Sequence, residues 1–146
     1  MGLDMYLNAQ RFLWHNESEL ADKISENFPE IGDKRVKRIT VEAAYWRKSN
    51  QIHKWFVDNV QEGVDDCGNY DVSREQLKEL IELIDKVLAD RTQAHNLLPN
   101  SAGFFFGSQD YDQYYFEDLE YTKRTLEELV KEGSWDSWYF EYQSSW

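Results

Sequence analysis

The chain of 146 residues has one cysteine, two prolines and no long apolar run, and each shortage removes a class of protein. A lone Cys67 excludes an internal disulfide and any multi-cysteine zinc site. No stretch approaches the roughly 20 apolar residues that a membrane-spanning helix needs. The opening Met1-Gly2-Leu3-Asp4 has neither the basic start nor the apolar run of a secretory signal. Gly2 does not mark a myristoylation site either, because position 6 is Tyr6 where Ser or Thr is required. The expectation is a cytoplasmic protein with no membrane association. Basic charge is scarce as well, with 28 acids against 16 bases and a net charge of −12. The deficit is uneven. Residues 1–63 carry 10 acids and 9 bases, whereas residues 64–146 carry 18 acids and 7 bases. Nucleic acid is therefore disfavoured as a partner, since phosphates must be neutralised by a basic surface. The one basic cluster, Lys34, Arg35, Lys37 and Arg38, reads as a solvated strand edge that resists sheet aggregation.

Aromatic residues are abundant: 16% of the chain, as six Trp, nine Tyr and eight Phe. So many rings are hard to bury in one domain of this size, and exposed rings mark interaction sites. The length fits a single domain over residues 1–146. Leu3, Met5 and Leu7 alternate with other residues, as one face of a strand does. Leu20, Ile24 and Phe28 recur at helical spacing ahead of Pro29, predicting a helix over 17–28. Residues 36–46 are β-branched and aromatic, predicting a second strand. Ser49 then caps a helix to Val60, with Ile52, Trp55, Phe56 and Val60 on one stripe. Residues 63–70 read as a turn-rich loop. Ser73 and Gln76 form a capping box before a helix built on Leu77, Leu80, Ile81, Ile84, Val87 and Leu88. Gly103 to Gly107, enclosing three phenylalanines, predicts a short buried strand. A long helix follows over 110–131, capped by Ser108 or Asp110 and ended by Gly133. Trp138, Phe140 and Tyr142 alternate with Tyr139, Glu141 and Gln143 in a final strand. The fold class is α+β: a small mixed or antiparallel sheet of four to five strands packed by about four helices.

The densest chemistry lies at the predicted strand-to-helix junction, residues 45–56. The first amides of a helix are unpaired and favour an anion. Arg47, Lys48, Asn50 and His53 cluster there and can supply charge-assisted hydrogen bonds. Tyr45 and Trp46 precede them, and Phe105, Tyr111 and Tyr115 provide further rings for a ligand wall. Asp65-Asp66-Cys67-Gly68-Asn69 lacks the closing Glu of a calcium loop, and two carboxylates beside Cys67 oppose thiolate formation, so a polar turn is read there. The 97–108 segment lacks the Lys-Ser/Thr ending of a phosphate loop and the glycine spacing of a dinucleotide fold. No metal ligand set and no cofactor motif is found.

Several segments, in order, carry a resemblance: the opening MGLDMYL, the run EAAYWRKSNQIHKWF at 42–56, Asp65-Asp66-Cys67, residues 97–107, and the ending YQSSW. Together they resemble a family of small, uncharacterised bacteriophage and prophage proteins. The resemblance spans nearly the whole chain and brings no catalytic assignment. It implies an accessory protein in the cytoplasm of a bacterial host cell, acting in phage–host conflict. The best reading of the residues is a binding protein for a small anionic or nucleotide-like ligand. The alternative is an acidic inhibitor that occupies a basic surface of a host defence or nucleic-acid-binding protein. Catalysis ranks third, because no nucleophile, base and orienting group share a spacing; it would need His53, Tyr45 and Asp110 to converge in the fold.

Overall fold

A computed structural model describes residues 2–103 and 105–146. The alternation read at the N-terminus extends into strand β1, Asp4–Phe12, and its inward residues Met5, Leu7 and Ala9 are fully buried. After a crossing that holds helix α1, Ser18–Ser25, the chain returns as strand β2, Arg38–Arg47. Helix α2, Asn50–Asn59, follows at once, then strand β3, Asn69–Val72, and helix α3, Arg74–Ala89. A single turn, α4, Ala94–Leu97, precedes the long helix α5, Gln113–Val130, and strand β4, Tyr139–Ser145, closes the fold. The four strands form one antiparallel sheet in the order β2-β1-β4-β3, and the fold is α+β.

One irregularity explains how β2 serves the core along its full length. Leu7 pairs with Ala44 while Asn8 pairs with Glu42, so Ala43 is an extra residue at a bulge. Side chains alternate faces along a strand, and an inserted residue resets that alternation. Ile39 and Val41 therefore turn inward before the bulge, and Ala44 and Trp46 turn inward after it. The helices cover the inner face with Ile52 and Phe56 of α2, Leu77, Leu80 and Ile84 of α3, and Leu119 and Leu126 of α5. The capping box of α3 forms as read: Ser73 Oγ accepts from the Gln76 amide and the Gln76 side chain accepts from the Ser73 amide.

Four local expectations are corrected. The predicted strand over 103–107 does not form among the described residues; Phe104 lies outside them. The Phe106 amide instead returns to the Gly103 carbonyl, closing a turn in which a Cβ on residue 103 would sit 2.6 Å from the Phe106 ring. The fourth strand comes from Asn69–Val72, within what read as the end of a loop. Asp112, not Ser108 or Asp110, caps α5, its Oδ1 accepting from the Tyr115 amide. In α1 the stripe of Leu20, Ile24 and Phe28 is not the buried one; only Ala21 is buried, and Phe28 is 49% exposed.

Candidate functional site

The β2–α2 junction works by a sharp reversal. Lys48 adopts the left-handed conformation (φ 57°), turning the strand into the helix, and its amide donates to the Leu3 carbonyl. The 101–108 segment is laid directly on this reversal. Gly107, at φ 89°, leaves room where a Cβ would stand 3.0 Å from the Lys48 Cβ. Asn50, 1% exposed, fastens the segment: its Nδ2 donates to the carbonyls of Phe106 (3.1 Å) and Ser108 (2.8 Å), and its Oδ1 accepts from the Ser101 amide (2.9 Å). Every polar atom of the Asn50 amide thus has a backbone partner, which leaves this side chain fastening the segment instead of greeting a ligand.

One turn further along α2, His53 is 1% exposed and joins a chain of four side chains. Its Nδ1 lies 2.6 Å from the Tyr142 hydroxyl and its Nε2 lies 2.9 Å from Asp65 Oδ2. The other oxygen of Asp65 accepts from the Trp146 indole N–H at 3.0 Å. A carboxylate only accepts, so the Nε2 hydrogen points to Asp65; in the neutral ring Nδ1 then accepts from Tyr142. Burial, with the charge of Asp65 and then Cys67 nearby, raises Tyr142 well above the usual phenol range. Its ring is stacked on Phe56 with centroids 4.0 Å apart. Tyr142 is 0% exposed, so its hydroxyl cannot reach a substrate, and the chain does not present a nucleophile. What it does is fix Asp65 and Trp146 at the surface.

Those two residues close one side of a cleft of about 470 Å³. Its other walls are Lys54, Val57 and Asp58 of α2, residues 101–103, and the rings of Phe105 and Phe106. Phe106 stands edge-on to His53 (5.2 Å, 87°) and meets Trp146 at 70° with centroids 6.3 Å apart. Lys54 and Asp58 form an ion pair at the rim (2.7 Å). A second cleft, of about 310 Å³, lies across the 101–108 segment and receives Arg47 and Lys48. The starts of α2 and α5 both border it, but so do Asp110, Asp112 and Asp118. A cleft of about 700 Å³ at the far end of the sheet is lined by Phe12, Arg38, Trp138 and Tyr139. Three of its charged groups are already engaged: Arg74 donates to the carbonyls of Ser134 and Lys131, and Gln10 bridges Arg38 and Glu141.

The residues singled out by sequence are thus divided among several places. His53 and Phe105 share the 470 Å³ cleft, while Arg47, Lys48 and Tyr115 border the 310 Å³ one. Tyr115 is itself buried, its hydroxyl donating to the Leu98 carbonyl, and burial raises it far above the ordinary phenol value. Trp46 is not a ligand wall: it is 3% exposed in the core, with its indole N–H donating to Thr122. Tyr45 points from the outer face of the sheet and donates to Asp4. Tyr111 accepts from the Asn100 amide and lines a separate depression beside Arg91 and Phe116. His53, Tyr45 and Asp110 therefore occupy three environments and do not converge. Asp65 and Trp146 are site residues that sequence reasoning does not single out, although both fall in segments that it marks.

No family model, curated protein or solved structure matches the chain. Among the described residues no helix is long and apolar enough to cross a membrane, and no group of three or more His, Cys, Asp or Glu side chains is placed to hold a metal ion.

The second cleft yields a test of local electrostatics. Burial raises the Asp118 carboxyl above its ordinary value of 3.8, against the opposing pull of Ser49 and Gln51. The folded state therefore favours the protonated form more than the unfolded chain does. The resulting stability is fully present below the unfolded value and is lost as pH rises through the raised folded value. Asp118→Asn is accordingly expected to raise the Tm at pH 7, with the gain shrinking as pH falls toward about 4. Thermal unfolding at both pH values checks this; a lower Tm for the variant at pH 7 would contradict it.

Proposed function

We propose that the chain is a non-catalytic binding protein whose ligand enters the 470 Å³ cleft between α2, the 101–106 segment and Trp146. One observation carries the reading. Three partly exposed rings, Phe105, Phe106 and Trp146, line a concave site whose polar groups are few and are held in place from behind by the His53 chain. Small-molecule sites have this make-up, mostly apolar walls of about 300–1,000 Å³ with a few fixed polar groups. The buried hydroxyl of Tyr142 and the fully engaged Asn50 argue for binding over turnover. The resemblance to small phage and prophage proteins supports the setting: an accessory protein that captures a small host molecule.

Isothermal titration against nucleotides, nucleosides, aromatic acids and organic amines tests the reading. At least one class is expected to bind with a Kd below about 1 mM, and Trp146→Ala is expected to weaken that binding at least tenfold, the loss of about 1.4 kcal/mol. Binding that is indifferent to Trp146, or no heat from any class, would remove the cleft as the site.

A further inference from the structure

The charges around the 470 Å³ cleft do not suit an anion. Lys54 supplies one ammonium, already paired with Asp58 at 2.7 Å. Asp58 and Asp65 supply two carboxylates, and Asp65 keeps its side chain 26% exposed. His53 offers no free N–H, because one ring nitrogen faces Asp65 and the other faces Tyr142. The rest of the wall is Val57, residues 101–103 and the rings of Phe105, Phe106 and Trp146. The face of an aromatic ring carries partial negative charge, and a cation within about 6 Å of its centre is attracted to it. Phe106 and Trp146 stand nearly at right angles, so a group seated in their corner meets two rings from different directions. The surrounding field acts the same way: a net charge of −12 concentrates cations near the protein and repels phosphates.

The hydrogen-bond pattern narrows the class of cation. Both oxygens of Asp65 already accept, one from His53 and one from Trp146, and Asp58 accepts from Lys54. The site thus offers negative charge and aromatic rings, with three of the four oxygens of Asp58 and Asp65 already accepting. A primary ammonium would bring three N–H donors needing partners, whereas a quaternary ammonium brings charge, alkyl surface and no donor.

We propose that the cleft binds a small quaternary ammonium ion, its alkyl groups against Phe105, Phe106 and Trp146 and its charge facing Asp58 and Asp65. This rests on the cleft being the ligand site, and the experiment separates the two claims. The probes are choline, its uncharged carbon isostere 3,3-dimethylbutan-1-ol, and adenosine monophosphate, each titrated while the Trp146 indole N–H and the amides of 101–106 are followed by NMR. Choline is expected to shift these signals with a Kd at least tenfold below that of the isostere. Added salt and Asp58→Asn, a substitution at the exposed rim, are each expected to weaken choline at least threefold and leave the isostere unchanged. If the isostere binds as tightly as choline, or the nucleotide binds and choline does not, the cation assignment falls while the cleft remains a ligand site. If no probe moves these signals, the cation assignment falls there too.

Discussion

Replacing His53 by leucine is expected to lower the unfolding free energy by about 2–4 kcal/mol, read from the midpoint of a urea transition. Leucine fills much of the space but accepts nothing from Tyr142, whose hydroxyl is fully enclosed and would lose its ring-nitrogen partner. An enclosed polar group without a partner costs about 1–3 kcal/mol, more than a typical hydrogen bond contributes when present. Asp65 is partly exposed and can recover water, so most of the cost belongs to the tyrosine. A double-mutant cycle gives the sharper reading. Tyr142→Phe removes the hydroxyl while preserving the stack on Phe56. The double variant is expected to cost clearly less than the two single losses added together, because neither partner is then left unsatisfied. Strictly additive losses would mean that the two side chains do not depend on one another.

Asn50→Ala is expected to act on the 101–108 segment more than on the core. It removes two bonds to the carbonyls of Phe106 and Ser108 and one from the amide of Ser101, for a loss of about 2–4 kcal/mol. The segment keeps the bond from the Leu3 amide to the Phe105 carbonyl and the ring contacts of Phe106 with His53 and Trp146, so it stays attached. Hydrogen exchange should quicken across 101–108 while amides in β1 and β4 keep their protection in proportion to the global loss. Because Phe105 and Phe106 ride on this segment, ligand binding in the 470 Å³ cleft should weaken at least tenfold. Unaltered exchange in 101–108 would show that the segment is held by something other than Asn50.

Legibility in the sequence followed the range of the interactions. The alternation of Leu3, Met5 and Leu7, the stripe of α2 and the Ser73–Gln76 cap each depend on residues within one or two turns, and all three appear in the structure. The run Phe104-Phe105-Phe106 has the composition of a strand. Yet Asn50, more than 50 positions earlier, takes the carbonyls of Phe106 and Ser108 that a strand would offer to a neighbour. Asn69–Val72 is too short and polar to show a period, and becomes a strand because β4 offers it an edge. The site divided in the same way. His53 could be singled out by type and position, but its partners lie 12 and 89 positions away, where spacing carries no information. Trp46 reads as a ligand wall but lies in the core, because a tryptophan beside two cations looks alike whether its strand points it inward or outward. The bulge at Ala43 decides that, and a bulge leaves no period to read.

The strand order has a consequence for how the molecule comes into being. β1 and β4 lie side by side at the centre of the sheet, although they come from opposite ends of the chain. During synthesis, β1 can pair with β2 as a hairpin with a long crossing, but the place beside it stays empty until residues 139–145 leave the ribosome. Among the described residues β3 has no strand neighbour except β4, so it too must wait. Pairings this distant in sequence form slowly and expose apolar surface meanwhile. The inner faces of Met5, Leu7 and Phe56 would then be open on a nascent chain, which makes β4 the step that commits the whole sheet to closing.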